Sequence, residues 1–240
     1  MNKLPNISGL SVSEYFNPKR VEKCDREKKC PVVTVSRSVG AGGSKIAELL
    51  ADRLTVPCFG YSLIDGIIKE SKQDKQLMSM VDEKAPGLLV DWIYAAFTKG
   101  KVSKPNFYQH LIKTTLAIAQ TGGVIIGRGA HLILSNNPSV FRVRIEGSME
   151  VCVNRIAKRE NMNSKKAKEF ILKTEKERVK YVKELFNYCP TNRSYYDLVI
   201  NTDTVTPHDA VEVIIFAMKK MGYNVPGAED IKKQLLSVAS

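Results

Sequence analysis

The 240-residue chain is 43% hydrophobic and 26% charged, a balance that lets one sizeable core form without disulfide or metal staples. Its cysteines, Cys24, Cys30, Cys58, Cys152 and Cys189, form no CxxC pair, which argues against a zinc ribbon or a disulfide framework and for reduced thiols. The net charge of +12 is concentrated: residues 155–183 carry eleven basic against four acidic side chains, and residues 1–30 seven against four, a pattern that favours polyanionic partners.

In chain order, residues 1–30 read as a polar N-terminal arm. They contain no apolar run of the kind a secretory signal needs. The most apolar window, "GLLVDWIYAAF", is interrupted by Asp91 and is too short to span a bilayer; a cytoplasmic protein with no membrane partner is expected. Strand signals follow at "PVVTV", "VPCFG", "GVIIG", "VFRVRI" and "DLVIN", each a short β-branched or aromatic run bounded by turn residues. Helical periodicity fills the gaps. Ile46, Ala47, Leu49, Leu50 and Leu54 make one apolar face, and "FYQHLIKTTLAIAQ" is a helix ended by Gly122-Gly123. Ser148 caps "SMEVCVNRIAKRE". "TPHDAVEVIIFAMKKMG" opens on Thr206 and Pro207, with Asp209 completing a near-capping box and Gly222 as terminator. Alternation of strands and helices predicts an α/β fold with a mainly parallel sheet. Two helical regions interrupt it, residues 61–121 and the basic residues 157–194, and both read as insertions over one end of the sheet.

"VVTVSRSVGAGGSKIAELLADRL" places a glycine-rich turn between the first strand and a helix. Glycines let a backbone approach a ligand closely, successive N–H groups can form an anion-binding nest, and the helix adds its N-terminal amides and dipole. Against the phosphate-loop pattern GxxxxGK[ST], Arg37 takes the first glycine, Gly42 the second, Gly43 the lysine and Ser44 the hydroxyl that ligates magnesium. Lys45 is turned away by about 100° on the helix. From the loop by itself, a phosphate site and a merely structural turn are both open. On the phosphate reading, Ser38, Val39, Gly40, Ala41, Gly42, Gly43, Ser44 and Lys45 hold the nucleotide, and Arg37, at the end of a buried strand, supplies the missing charge.

Further stretches narrow the choice. The loop resembles the opening of the cytidylate kinase-like family, whose loop carries serine-arginine and a glycine pattern without the lysine. "VDEKAPGLL" (residues 81–89) resembles the family's monophosphate-binding insertion, and "VIIGRGAHLIL" (residues 124–134) its third strand and Gly-Arg turn. "RIEGSMEVCVNRIAKRENM", "KTEKERVKYV" and "YDLVINTDTVTPHDAVEVI" resemble its lid and last strand-helix unit. The resemblance covers roughly residues 32–218. It implies a P-loop three-layer fold with a five-stranded parallel sheet, a helical acceptor-binding insertion (about 61–121) and a helical lid (about 157–194). This domain would span residues 31–222, followed by a tail at 223–240. It further implies an ATP- and Mg²⁺-dependent kinase acting on a nucleoside monophosphate, CMP-like, or on a related phosphorylated acceptor.

By the same resemblance Arg128 holds the acceptor phosphate, and Arg155, Arg159 and Arg178 belong to the lid. Phosphoryl transfer is mostly positioning and charge neutralisation, to which arginine's permanent charge and forked donors are suited. Arg155 and Arg159, four apart, share a helix face. Glu83, in the insertion, either binds the acceptor or pairs with Lys84. Ile126, Gly129 and Gly60 stand where the family has acidic residues, leaving Ser44 as the one evident protein ligand for magnesium. His131 reads as a core or helix-start residue. Two other functions stay in view: a nucleotide sensor with little turnover, which predicts saturable ATP or ADP binding without ADP production and in whose favour a large gain in ATP affinity in Gly43→Lys would speak, and a nucleic-acid binder using residues 155–183, for which no reading motif is present.

Overall fold

The computed structural model describes residues 31–60, 64–66, 105–186 and 193–226. Five strands, β1 (Val32–Arg37), β2 (Cys58–Phe59), β3 (Gly123–Ile126), β4 (Val140–Glu146) and β5 (Leu198–Asn201), form one sheet. Its order is β2-β3-β1-β4-β5 and every pairing is parallel. Each segment read as a strand from its sequence is one. The helices are α1 (Gly43–Leu54), α2 (Pro105–Thr121), α3 (Ala130–Ile133), α4 (Met149–Arg159), α5 (Ser164–Phe186) and α6 (Pro207–Lys220). The N-terminal arm, Glu83 with most of the 61–121 span, and residues 227–240 lie outside the described residues.

Parallel strands need both faces covered, and the sequence supplies two cores. Successive residues of a strand point to opposite faces. Val33 and Val35 of β1, Phe141, Val143 and Ile145 of β4, and the α1 face made by Ile46, Ala47, Leu50, Ala51 and Leu54 meet α4 and α6 in one core. Leu49 is only partly buried there. Burial of each large aliphatic in this set contributes about 1.5–3 kcal/mol. On the opposite face, Val32, Ile125 and Val140 pack against Tyr108, Leu111, Ile112, Leu116 and Ile118 of α2 and against α3. Helix α2 is thus part of the layered body, and Gly123 opens β3 instead of ending the helix.

The caps behave largely as read. Ser148 Oγ accepts the Val151 N–H, and Thr206 Oγ1 accepts the Asp209 N–H at 3.2 Å. The Thr206 hydroxyl donates to the Asp209 carboxylate at 2.6 Å, which is a shorter loop than the reciprocal capping box.

Helix α5 spans both cores. Its first half sends Ala167 and Ile171 into the α1 side, and its second half sends Val182 into the α2 side. To do both, the helix must cross the sheet at the ends of the strands. Its middle turn, Glu175 to Arg178, therefore meets the glycine-rich loop.

Candidate functional site

The loop from Ser38 to Gly42 leaves the C-terminal end of the central strand β1 and runs into α1, the place where ligands bind in parallel α/β sheets. Gly40 and Gly42 are left-handed, at φ 83° and 78°. Three loop carbonyls and that of Arg37, just before the loop, are engaged. Arg178 Nη1 donates to Arg37 O at 3.1 Å, Ala41 N to Ser38 O, Thr202 Oγ1 to Ala41 O at 2.8 Å, and Ile46 N to Gly42 O. The Val39 N–H donates to Glu175 Oε1 at 2.6 Å. No side chain caps the N-terminus of α1, and Ser44 is exposed on its first turn.

Arg37 and Gly43 explain each other. By the period of two, Arg37 lies on the same strand face as Val33 and Val35, toward α1. A Cβ on Gly43 would stand 2.5 Å from Arg37 Cβ and 3.2 Å from both Arg37 Cγ and Ile145 Cβ. A Cβ on Gly127, just past β3, would overlap Arg37 Nη1. The arginine thus runs from the end of β1 to the end of β3, through a channel that two glycines keep clear. Position 43 has no room for a lysine stem.

On the other strand face, Ser36 is in register with Arg144, and Thr34 with Arg142. Arg144 Nη2 donates to Ser38 Oγ at 3.2 Å and its Nε to Glu146 Oε1 at 3.3 Å; Glu146 also pairs with Arg193 at 2.7 Å. Arg142 makes a two-pronged bond to Asp197 and a third bond to Ser135 O, closing the edge between β4 and β5. Buried His131 links Ser36 Oγ and the Tyr196 hydroxyl, each at 3.2 Å, and stacks on the Tyr196 ring. Burial, then Arg144 and Arg142, pull its pKa down to about 3, so it is a neutral packing residue.

Arg128 follows β3 with φ 54°, between two left-handed glycines. A side chain held there costs of order 1–3 kcal/mol, a strain typical of ligand-handling turns. It bonds Asp65 and lies 5.2 Å from the centre of the Tyr181 ring on α5. Burial raises the Tyr181 phenol to about 12. Arg155 is bound through both terminal nitrogens to Thr202, whose hydroxyl holds Ala41; it braces the loop from behind. Arg159 pairs with neighbouring Glu160 on the outer surface. Lys45 is exposed and pairs with Glu48. The structure therefore gathers Arg37, Arg128, Arg155 and Arg178 about the loop and leaves Arg159 and Lys45 outside.

Arg144, Glu175 and Thr202 were not singled out by sequence. Arg144 had a signal: arginines at alternate positions of "VFRVRI" place two cations on one face of an interior strand. Glu175 and Thr202 had none. Among the described residues no cluster of three or more His, Cys, Asp or Glu side chains could hold a metal, and no helix is long and apolar enough to cross a membrane.

A five-stranded parallel sheet with helices on both faces and a glycine-rich loop at its central strand defines an α/β protein of the P-loop three-layer fold. The chain belongs to the cytidylate kinase-like family, whose model matches residues 32–204. It is 25% identical over 195 residues to a cytidylate kinase of Methanobrevibacter smithii, covering 78% of this chain and 98% of that one. To a cytidylate kinase of Methanopyrus kandleri it is 24% identical over 192 residues, covering 76% and 90%. A solved structure of an uncharacterized protein from Eubacterium ventriosum matches with a TM-score of 0.60 at 20% identity, over 79% of this chain and 98% of that one; this likeness concerns the fold.

Proposed function

We propose that the protein is an ATP-dependent kinase acting on a nucleoside monophosphate, with CMP the first acceptor to try. The observation that carries this reading is the Arg37 channel inside a chain of this family. The usual loop has a glycine at the strand end and a lysine at the helix start. Here an arginine and a glycine stand in those places, and the side chain at 37 leaves no room for a Cβ at 43. The cation has moved from the helix to the strand and remains beside the loop.

In this reading residues 38–44 hold the ATP phosphates through their backbone amides, other than those of Ser38 and Ala41, which are bonded within the fold, and through the start of α1. Arg37, with Arg144 and Arg178, neutralises charge on the transferred group. Arg155 positions the loop through Thr202, and Arg128 and Glu83 are the residues proposed to bind the acceptor. Magnesium keeps several waters and commonly needs only one or two protein oxygens beside substrate phosphates. A single exposed hydroxyl, Ser44, fits an ion brought in by the nucleotide better than an ion held by the protein; it would supply further charge neutralisation.

The test is ADP release with MgATP across nucleoside monophosphates. Turnover with at least one is expected, and Arg37→Ala should lower kcat/KM by about 100-fold, the scale for removal of one preorganised charge donor. Folded protein that turns over no acceptor refutes the kinase. Saturable ATP binding without ADP formation would instead identify a sensor.

A further inference from the structure

One loop amide already holds an anion. Glu175 sits in the middle of α5, 136 positions after Val39, and its Oε1 accepts the Val39 N–H at 2.6 Å. One turn later Arg178 donates to Arg37 O at 3.1 Å and stands 3.6 Å from Glu175. The i, i+3 spacing puts both on one helix face, so α5 grips the loop with an anion on an amide and a cation on a carbonyl. Both side chains are about one-third exposed (31% and 37%). The contact is thus reachable by solvent and can be displaced without opening either core. A carboxylate oxygen and a phosphate oxygen offer a backbone N–H the same charged acceptor.

We infer that Glu175 is a tethered anion on a phosphate-accepting amide, and that a nucleotide phosphate reaches Val39 by displacing it. Binding at the loop and release of the middle of α5 are then one event. The departing carboxylate leaves Arg178 with one fewer acidic neighbour and turns that guanidinium toward the incoming phosphate. Glu175 is therefore a positioning residue that sets nucleotide affinity through competition. This inference rests on the reading of the loop as a nucleotide site.

The experiment compares wild type with Glu175→Gln, Glu175→Ala and Glu177→Gln. Glu177 is an exposed acid on the same helix and controls for loss of charge alone. Two quantities are read in the full chain: hydrogen exchange of the Val39 amide without nucleotide, and MgATP affinity by calorimetry. Both Glu175 variants should exchange Val39 faster and bind MgATP about three- to tenfold tighter, because a competing conformer lowers apparent affinity in proportion to its population. Glu177→Gln should change neither. Unchanged exchange, or unchanged or weaker ATP binding in the Glu175 variants while wild type binds ATP, overturns the inference and leaves the kinase reading intact. Faster exchange with no ATP binding to any form, wild type included, overturns the nucleotide reading and the competition with it.

Discussion

Adding one carbon at position 43 tests whether that glycine is a lost lysine or a clearance. The Cβ of Gly43→Ala would lie 2.5 Å from Arg37 Cβ, against the roughly 3.5–4.0 Å at which carbon atoms attract. Arg37 Cβ is fixed to a central strand paired on both sides, so it cannot swing aside as a side-chain tip could. Overpacking of this kind costs about 1–3 kcal/mol, and the helix-propensity gain of alanine over glycine returns at most about 1 kcal/mol. A net loss of about 1–2 kcal/mol is expected, a fall in Tm of about 2–8 °C for a chain of this length. Gly43→Lys carries the same Cβ and should melt at least as early, with ATP affinity no higher than wild type. Thermal scans with and without MgATP read both quantities. A Gly43→Ala protein that melts within about 1 °C of wild type, or a Gly43→Lys protein that gains ATP affinity, would refute the clearance argument.

Two further expectations follow from the buried polar groups. His131 is held near 3 in the fold against 6.5 unfolded, so the unfolded chain takes up a proton first as pH falls; the stability of the neutral form is whole above pH 6.5 and is lost progressively from there toward pH 3. Between pH 7 and pH 5 this amounts to about 2 kcal/mol, and urea titrations should show that His131→Gln removes that part of the pH dependence; an unchanged slope would be contrary. Asp197→Ala deprives the half-buried Arg142 guanidinium and backbone N–H of their acceptor and should cost about 2–3 kcal/mol, checked by the same titrations; a loss under about 0.5 kcal/mol would place the pair with exposed ion pairs of little worth.

What the sequence disclosed depended on whether a signal was local. The five strands were legible because each is a short apolar run closed by turn residues, and their common parallel direction followed from the helices between them. The loop was legible from its glycines. Arg37 was identified as the substitute for the lysine, but the reason for Gly43 needs a distance between residues on two elements. Arg155 and Arg159 were grouped by their four-residue spacing, which fixes a helix face but not where the face ends. Arg155 finds Thr202 at the end of β5, whereas Arg159 closes the helix beside Glu160. An acid within a basic run, such as Glu175, reads as solvated helix surface until the path of α5 is known. The span 61–121 read as one insertion because its helices share a period; only packing separates α2, whose apolar face lies on the sheet.

The engaged carbonyls of the loop give it a polarity of its own. With the oxygens of residues 37, 38, 41 and 42 each drawn to a donor of the protein, the peptide units are fixed in orientation by Arg178, by the loop's own Ala41 amide, by Thr202 and by α1. Turning any one of them would break a bond at its oxygen end. A polyanion arriving at the nitrogen ends of the last two units, the amides of Gly42 and Gly43, thus meets dipoles that do not have to reorient, and the entropy of aligning them was already lost during folding. Of the four restraints, the one from Arg178 comes from the same helix turn as Glu175. The loop therefore keeps its shape when that tie is released, because the 37–38 peptide is also held through Ser38 N–H to Ile145 O, and a change in ligand is passed to α5 and not spread through the sheet.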